Sequence, residues 1–467
     1  MGQNASRRTQ SLLAPVIESA IHETQIESVY ILGKVIGSGN YGVVREAYPI
    51  GSNSKVAIKI IQKSSNLSKD RLKKLNREVE ILKIVSHPNI IRFYDAYEDT
   101  NIISIVTEYC SGGELGQKII KIGHFTESQS RPLVHQILMA INYLHNNRIV
   151  HRDIKPENFL LESQKGDFEI KLIDFGFAKK FRNLKHLHSV SGTSYYIAPE
   201  VLRGSYNYKC DLWSAGIIMY QILCGQLPFY SRRLSEAFKK IKIGRFDKEC
   251  DSWKAISHAG RDLIKKLICM NPSSRLSAKE ALDHDWLSTS ISHEPFIDNA
   301  LLKSFQEYSK ISLFKKELLN ILVKHSNLSQ IKDLDQIFLN LDDEHKGEIS
   351  AKLLKETMQK SGFQLSIQEI KELIRAIDVD QTGKITYSEF LAAAISSKHH
   401  LQKEEVLALF NHFDVERKGF ITSEDIKTAI HRSGDVLEQK IKKMLKEIGM
   451  TKANKIYFND FVCLLNN

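Results

Sequence analysis

The fold of this chain is predicted most directly by a stretch of eight residues, His151-Arg152-Asp153-Ile154-Lys155-Pro156-Glu157-Asn158. Taken alone, this stretch is a charged loop that contains a proline turn. Its significance comes from four further stretches that lie around it in a fixed order. These are Gly37-Ser38-Gly39-Asn40-Tyr41-Gly42, Val56-Ala57-Ile58-Lys59, Asp174-Phe175-Gly176 and Ala198-Pro199-Glu200. The ordered occurrence of all five makes coincidence untenable.

The glycine-rich stretch fits two different folds when it is considered alone. A dinucleotide-binding turn would be followed directly by a helix. Here Val43 and Val44 follow, and the turn residues Gly51-Ser52-Asn53 separate them from Val56–Lys59, which is a strand–turn–strand pattern. The pattern therefore predicts a flap whose backbone N–H groups can approach phosphates, because glycine has no side chain in the way.

The five stretches resemble the eukaryotic protein kinases over residues 30–287. The resemblance implies an α+β bilobal fold that uses ATP and Mg²⁺. It implies that Asp153 accepts the proton of the substrate hydroxyl and that Lys155 neutralises charge on the γ-phosphoryl group. Asn158 and Asp174 would hold the magnesium ions. Because Lys155 lies in an Asp-x-Lys-Pro-Glu-Asn sequence, the resemblance is to serine/threonine kinases rather than to tyrosine kinases.

The resemblance also implies the residues of the ATP pocket. Lys59 would hold the α- and β-phosphates, and Glu78 would orient it from a helix. Glu80 is the alternative partner, which the helical phase of the neighbouring apolar residues disfavours. Glu114 and Glu157 could attract a basic residue upstream of the phosphorylated Ser or Thr. The other pocket residues are Ile36, Gly37, Ser38, Gly39, Asn40, Tyr41, Gly42, Val43 and Val44 in the flap, Thr107 behind the adenine, Glu108 and Cys110 in the hinge, and Glu114 at the ribose.

The part of the chain after Pro295 contains neither proline nor tryptophan. Since proline interrupts helices, this Leu-, Ile-, Lys- and Glu-rich part is predicted to be helical, with a boundary near residues 290–300. Gly347, Gly383 and Gly419 recur in it at intervals of 36 residues (383 − 347 and 419 − 383), and an Ile follows each by two residues. The repeat resembles two EF-hand pairs of the kind found in calmodulin.

One of the four repeated loops fits a calcium site at every position. The loops are loop 1, residues 342–353; loop 2, residues 378–389; loop 3, residues 414–425; and loop 4, residues 449–460. Calcium takes six to eight oxygen ligands, and EF-hand loops supply them from positions 1, 3, 5, 7 and 12. In loop 2 these are Asp378, Asp380, Thr382, the Lys384 carbonyl and Glu389. We therefore expect loop 2 to bind Ca²⁺.

The other three loops lack some of these ligands. Loop 1 has Lys346 and Leu353 at positions 5 and 12, which predicts that it does not bind calcium. Loop 3 has Lys418 and the shorter acid Asp425 there, so a weak site, a magnesium site and no site all remain open. Loop 4 is predicted to be structural, because its first three ligand positions are Gly449, Thr451 and Ala453.

A basic segment, residues 301–325, joins the two parts of the chain. Its apolar residues Phe314, Leu318, Ile321 and Leu322 recur at helical spacing among lysines. A basic amphipathic helix of this kind is typical of calmodulin targets, and a plain connecting helix is the alternative.

A kinase, a basic joint and four EF-hands in one chain resemble the calcium-dependent protein kinases. The resemblance implies that the joint blocks the active site at low calcium and that calcium-loaded EF-hands bind the joint and free the cleft. A pseudokinase scaffold is disfavoured because Lys59, Asp153 and Asp174 are all present, whereas a calcium-insensitive kinase with a structural tail stays open. A calcium buffer is disfavoured because only loop 2 ends in Glu.

The expected domains are an N-terminal extension (1–29), a kinase domain (30–287), an autoinhibitory junction (288–328) and two EF-hand pairs (329–397 and 398–467).

Composition and the N-terminus bear on partners and location. The net charge is +11, but the basic residues are spread along the chain without an aromatic-basic pattern, so nucleic acid is not predicted as a partner. The six scattered cysteines suit a reducing cytosol, and the charge-free run Leu212–Ser231 is predicted to be a buried helix.

Gly2 fits a myristoylation signal, which predicts a cytoplasmic protein that visits membranes. Ser189 is a candidate for a phosphate that would pair with Arg152, with an ordinary loop serine as the alternative.

Overall fold

The computed structural model describes most of the chain, apart from short segments between its elements. The described residues are 25–39, 42–63, 69–163, 168–181, 195–288, 297–325, 331–363, 365–379, 381–396, 403–414, 417–433, 438–450 and 455–466. The candidates Gly2, Asn40, Tyr41, Ser189 and Asp380 lie outside them.

The first lobe is a five-stranded antiparallel sheet with one helix. Its elements are β1 (Tyr30–Gly39), β2 (Gly42–Pro49), β3 (Val56–Gln62), α1 (Lys69–Ile84), β4 (Phe93–Glu98) and β5 (Ile102–Glu108). The strand order is β1-β2-β3-β5-β4, so the glycine-rich turn joins the edge strand β1 to its neighbour β2. The strand–turn–strand prediction is confirmed, since β2 and β3 pair directly after the flap.

The second lobe is mainly helical and has two short two-stranded antiparallel sheets. Its elements are α2 (Leu115–Ile122), α3 (Glu127–Asn146), β6 (Ile149–Val150), β7 (Phe159–Leu161), β8 (Ile170–Leu172), β9 (Lys179–Lys180), α4 (Cys210–Cys224), α5 (Leu234–Ile243), α6 (Asp251–Ala255), α7 (His258–Leu267), α8 (Ala278–Leu282) and α9 (Asp285–Ser288). Strand β6 pairs with β9, and β7 pairs with β8. Helix α4 covers the first part of the charge-free run, and nearly all of its residues are buried. Among the residues that the structure describes, no helix is long and apolar enough to cross a membrane.

The joint consists of two helices, so the prediction of a single amphipathic helix was wrong. These are α10 (Asn299–Lys310) and α11 (Leu313–His325). The break comes at Ile311, whose backbone is extended, and Ser312 then begins the next helix by accepting a hydrogen bond from the Lys315 N–H (3.2 Å). Lys316 is buried rather than solvated, and its ammonium donates to the Ala376 carbonyl oxygen at 3.0 Å.

The tail is helical, as predicted. Its elements are α12 (Ile331–Leu341), β10 (Glu348–Ser350), α13 (Ala351–Lys360), α14 (Ile367–Ile377), β11 (Lys384–Thr386), α15 (Tyr387–Ile395), α16 (Lys403–Phe413), β12 (Phe420–Ile421), α17 (Ser423–Ser433), α18 (Glu438–Glu447), β13 (Ile456–Tyr457) and α19 (Phe458–Asn466). The repeated isoleucines form the short strands that join the loops in pairs, with Ile349 opposite Ile385 and Ile421 opposite Ile456. The predicted fold class, a bilobal α+β body followed by all-α EF-hand lobes, is confirmed.

The joint helices belong to the hydrophobic core of the tail. Phe305, Phe314, Leu318 and Leu322 are buried in the same apolar cluster as the helices of both EF-hand pairs. The kinase-like lobes have their own large core around α3 and α4. Folding of the joint is therefore coupled to the EF-hand helices, because its apolar residues are removed from water in the same cluster.

Candidate active site and calcium loops

Strand β3 and helix α1 bring Lys59 and Glu78 together in a buried ion pair. The Lys59 ammonium lies 2.7 Å from Glu78 Oε1, and the Glu78 side chain is almost fully buried. Glu80 is exposed on the other side of α1, so the structure selects Glu78 between the two acids. Burial raises the pKa of Glu78 and Lys59 opposes that rise, while the nearby Asp174 adds to it.

The loop after β6 gathers three of the predicted residues around one carboxylate. The Lys155 ammonium lies 2.7 Å from Asp153 Oδ2. Asn158 donates through Nδ2 to the same oxygen at 2.9 Å and to the Asp153 carbonyl at 2.7 Å. Because Asp153 is 6% exposed, these donors fix the orientation of its carboxylate in a setting where water competes little.

Asp174 lies next to this group, in a strained backbone conformation. Its φ of 61° is in the left-handed region, and its Oδ1 accepts a hydrogen bond from the Gly176 N–H at 3.2 Å. A Cβ at Gly176 would lie 3.1 Å from Asp174 Oδ1 and 3.4 Å from Glu78 Oε2, so the glycine allows the two carboxylates to approach each other. The carboxylate of Asp174 and the amide oxygen of Asn158 are the hard oxygen ligands that Mg²⁺ takes, and the residues therefore fit this ion.

The glycine-rich flap is the turn between β1 and β2. Gly42 has a φ of +146°, and a Cβ there would lie 2.1 Å from the Ile60 carbonyl oxygen, so only glycine fits. Gly37 and Val44 face each other across the two strands, and Ser38 faces Val43. The side chains of Ile36 and Val43 are exposed, as the walls of an open cleft would be.

At the end of β5 the backbone passes from the first lobe to the second. Glu108 is buried, and its carboxylate accepts a hydrogen bond from the Arg92 N–H at 2.7 Å. Any contact of Glu108 with a nucleotide would therefore come from its backbone. Cys110 is half-buried, and Glu114 comes directly before α2, where its backbone bridges to Leu160.

Loops 1, 2 and 3 share one backbone geometry. The first aspartate of each loop accepts hydrogen bonds from the N–H groups at positions 5 and 6; in loop 2, Asp378 accepts from Thr382 at 2.9 Å and from Gly383 at 2.8 Å. Position 4 is left-handed in each loop, and the glycine at position 6 has a φ between 75° and 80°. The turn is therefore independent of whether a loop keeps its oxygen ligands.

Loop 2 holds two buried carboxylates at its two ends. Asp378 is 7% exposed and Glu389 is 3% exposed. Glu389 accepts hydrogen bonds from the N–H groups of Val379 and Thr386, both at 2.9 Å, which joins the start of the loop to its end. Two acids buried at positions 1 and 12, together with the Lys384 carbonyl at position 7, fit the oxygen set that Ca²⁺ requires.

In loops 1 and 3 a lysine at position 5 pairs with an acid of its own loop. The Lys418 ammonium lies 2.9 Å from Asp425 Oδ1, and that of Lys346 contacts the Glu344 carboxylate. Burial raises the pKa of Asp425, but hydrogen bonds from Thr422 and Lys418 outweigh it and lower the pKa overall. The lysine in loop 3 therefore supplies the positive charge that a metal ion would bring to position 12.

Comparisons with known proteins agree with this geometry. The family model described as the protein kinase domain matches residues 30–287, and that described as the EF-hand domain pair matches residues 331–395. Calcium-dependent protein kinase 11 of Arabidopsis thaliana is 35% identical over 344 residues, which are 73% of this chain and 70% of the relative. This chain belongs to the calcium-dependent protein kinase family.

Other members of the family are similarly related to this chain. Calcium-dependent protein kinase 2 of Oryza sativa subsp. japonica is 32% identical over 370 residues, which are 79% of this chain and 72% of the relative. Calcium-dependent protein kinase 3 of Plasmodium berghei is 37% identical over 348 residues, which are 73% of this chain and 62% of the relative. The chain thus spans a little less than two thirds of the length of that relative and of the one from Plasmodium yoelii yoelii.

In this member of the family, Asp211 supports the loop around Asp153 through contacts that the sequence did not reveal. Its carboxylate accepts the N–H groups of His151 at 2.9 Å and Arg152 at 2.8 Å, and it also contacts His145 Nε2 at 2.9 Å. Burial raises the pKa of Asp211, but the neighbouring histidines and these hydrogen bonds lower it overall. Asp211 stabilises the backbone just before Asp153, and no spacing along the chain announces such a contact.

A second buried ion pair supports the segment that follows the loop around Asp153, which we call the catalytic loop. Arg275 donates to both carboxylate oxygens of Glu200, at 2.6 and 3.0 Å, and its guanidinium lies 5.3 Å from the Trp213 ring centroid. Arg152 reaches the same region, where it donates to the Phe177 carbonyl at 2.7 Å and to the Tyr206 hydroxyl at 3.1 Å. In this family member the catalytic loop is thus tied to the helical lobe from two sides.

Proposed function

We propose that this chain is a calcium-regulated serine/threonine kinase that transfers the γ-phosphoryl group of ATP to protein substrates. The observation that carries the proposal is the arrangement of charged groups in the cleft. The Lys59–Glu78 pair is closed at 2.7 Å, and Asp174 lies beside it. Asp153 is held by Lys155 and Asn158 within hydrogen-bonding distance. A scaffold without catalysis would not need this set of buried charges, which is costly to maintain.

The proposed chemistry assigns one task to each side chain. Asp153 orients the substrate hydroxyl and accepts its proton as the new P–O bond forms and ADP leaves. Lys155 neutralises charge on the transferred group, and Lys59 holds the α- and β-phosphates. Mg²⁺ held by Asn158 and Asp174 would supply positive charge along the phosphates. Catalysis then consists of positioning and electrostatic stabilisation, because the transition state is loose and its charge is spread over oxygens.

Substrates with a basic residue upstream of the Ser or Thr fit the acidic groups at the cleft. Glu157 is exposed directly after the catalytic loop, and Glu114 is half-buried before α2. Both carboxylates are accessible enough to attract a substrate arginine or lysine, which would raise the association rate and select the peptide.

Calcium would act through the joint. In the structure α11 is buried among the EF-hand helices, which supports a released state in which the joint is bound by the tail. At low calcium the proposal places the joint over the cleft. Because loop 2 is the loop with a full ligand set, the switch is expected to respond to one ion and therefore to be shallow.

Three further parts of the proposal concern residues beyond the described ones or the place of action. Gly2 carries a myristoyl chain, which gives weak and reversible membrane association. The protein acts in the cytoplasm. A phosphate on Ser189 pairs with Arg152 and orders the segment after Asp174. Mass spectrometry of the active protein tests both modifications directly.

The direct test is a phosphoryl-transfer assay on a serine peptide that carries an upstream arginine. We expect transfer in calcium that falls severalfold in chelator, and none above background with Asp153→Asn. Equal activity in calcium and chelator would leave a kinase with a structural tail. The absence of transfer in both conditions would refute the catalytic proposal.

A further inference from the structure

A cluster of buried and half-buried polar side chains lies where the EF-hand part meets the kinase domain, close to the hinge. The kinase domain contributes Arg92, Glu108 and Lys171, and the tail contributes Asp335 and Tyr387. A cavity of about 290 Å³ lies along this interface and is lined by both parts of the chain. Apolar packing is incomplete here, so polar contacts contribute much of the specificity of the interface.

The kinase half of the cluster contains two cationic side chains, Arg92 and Lys171, near the acids Glu108 and Glu162. Glu108 accepts the Arg92 N–H at 2.7 Å, and the Lys171 ammonium lies 3.7 Å from its other oxygen. Lys171 is 4% exposed and Glu108 6%. The Arg92 contact is made by its backbone N–H, and its half-buried guanidinium attracts Glu108 at longer range, together with Lys171. Two cationic side chains that are largely removed from water are unfavourable unless acidic groups lie near them.

The tail supplies a carbonyl acceptor for Arg92 and a further acid, Asp335. Arg92 donates through Nη1 to the Val323 carbonyl oxygen at 3.1 Å, at the end of α11. Asp335 attracts both Arg92 and Lys171, and the Tyr387 hydroxyl donates to its carboxylate. Burial alone would lower the pKa of Lys171, but attraction by Glu108 and Asp335 raises it overall, so the ammonium stays charged.

Tyr387 connects this cluster to loop 2. It is position 10 of the loop and the first residue of α15, two residues before Glu389. The Glu389 carboxylate accepts hydrogen bonds from the N–H and hydroxyl of Thr386, at 2.9 and 2.8 Å, and Thr386 directly precedes Tyr387. A short path of two bonded residues thus connects the proposed calcium ligand Glu389 with the Tyr387 hydroxyl, which donates to Asp335.

We propose that Tyr387 and Asp335 couple the calcium site of loop 2 to the kinase hinge, with Arg92 and Lys171 acting as positioning residues for Glu108. This inference rests on the proposed function, since it assumes that loop 2 binds calcium and that the hinge binds ATP. Its content is distinct: calcium changes the affinity for nucleotide directly, in addition to any release of the cleft. In the structure Arg92, Lys171 and Tyr387 line one cavity between the two parts of the chain.

Thermodynamic linkage provides the test, because coupling between two binding sites is reciprocal. Calcium affinity of the full chain is measured by titration calorimetry with and without a non-hydrolysable ATP analogue and Mg²⁺. We expect the analogue to tighten calcium binding by about fivefold, at the lower end of typical couplings. The quantity compared is the ratio of the calcium dissociation constants without and with the analogue. In Tyr387→Phe and in Asp335→Asn this ratio should fall to about 1.

Tyr457→Phe is the matched control, since Tyr457 is an exposed tyrosine of loop 4 and should keep the wild-type ratio. In assays at saturating calcium, Tyr387→Phe should raise the KM for ATP about fivefold and leave kcat within twofold, because only the binding coupling is lost. A wild-type ratio of 1, or an unchanged ratio in both variants, would overturn the inference. The ratio can be measured even in a chain that transfers no phosphate, so failure of the proposed function remains distinguishable.

Discussion

The chemistry of the cleft depends on a few charged residues whose positions are fixed by burial. The family resemblance paired Lys59 with an acid of the following helix, and helical phase favoured Glu78 over Glu80, as the structure shows. The contacts of Asp211 could not be predicted, because it reaches the catalytic loop from a helix about 60 residues later in the chain. Hydrogen bonds to backbone groups leave no mark on the sequence, whereas side-chain motifs do.

Glu78→Gln should lower kcat/KM about 100-fold, comparable to the loss of one preorganised electrostatic partner. The substitution keeps the size of the side chain but removes the charge that orients Lys59. Glu80→Gln is the matched control, because Glu80 is exposed on the same helix, and its activity should stay within twofold of wild type. Steady-state kinetics measure kcat/KM for both variants. Equal losses of kcat/KM would show that a change in the helix, and not the loss of the Lys59–Glu78 ion pair, is responsible.

His87 makes the kinase domain sensitive to acid. Burial lowers the pKa of His87 to about 3, and the nearby Lys171 adds to the effect. Because the folded-state pKa lies below the unfolded value of about 6.5, the stability from this group is present above pH 6.5 and lost below it. Between pH 7.5 and 5.5 His87 should cost about 1.4 kcal/mol of unfolding free energy.

Urea unfolding at the two pH values measures this effect as the difference between wild type and His87→Gln. The variant should lose about 1.4 kcal/mol less than wild type on acidification. The exposed His124 offers the control, since His124→Gln should follow the wild-type pH dependence. A His87→Gln protein that loses as much stability as wild type would show that the buried imidazole does not titrate on unfolding.

The EF-hand loops show what is predictable for single structural elements. Their repeat, paired isoleucines and left-handed glycines follow from the sequence, because each has a local geometric cause. The break of the joint at Ile311 and Ser312 did not follow, since a capping serine inside an amphipathic pattern has no effect on the periodicity. Periodicity predicts which face is apolar, and it is insensitive to a two-residue interruption.

Loop 1, which lacks calcium ligands, contacts the kinase helix α3. The Asn142 side chain donates to the His345 carbonyl at 2.5 Å, and a Cβ at Gly347 would lie 2.2 Å from the Tyr143 ring. Gly347→Ala should therefore loosen this contact. Gly419→Ala is the matched control: it carries the same strain of about 1 kcal/mol from a left-handed backbone, but its added Cβ would meet no atom within 4 Å.

Hydrogen exchange monitored by mass spectrometry tests this contact. Amides of Glu127–Asn146 should exchange faster in Gly347→Ala than in Gly419→Ala. Identical exchange of α3 in the two variants would mean that loop 1 does not dock on the kinase domain in solution.

The relation between the two parts of the molecule is the feature least accessible from sequence. Arg92 meets the Val323 carbonyl across 231 residues of chain, and Asn142 meets His345 across 203. The kinase domain and the tail each have their own hydrophobic core and do not need these contacts to fold. No sequence pattern within either part therefore predicts them. The family resemblance nonetheless predicted the overall order of kinase, joint and EF-hands, because that order is carried by motifs.

The central claim is that loop 2 alone makes the kinase responsive to calcium. The most direct measurement is a calcium titration of peptide phosphorylation by wild type, Glu389→Gln and Asp425→Asn. Since a single loop keeps its ligand set, the wild-type curve should have a Hill coefficient of about 1. Glu389→Gln should give a flat curve at the chelator level, while Asp425→Asn should superimpose on wild type. A Hill coefficient near 2 that Asp425→Asn reduces, or calcium stimulation retained in Glu389→Gln, would contradict the account.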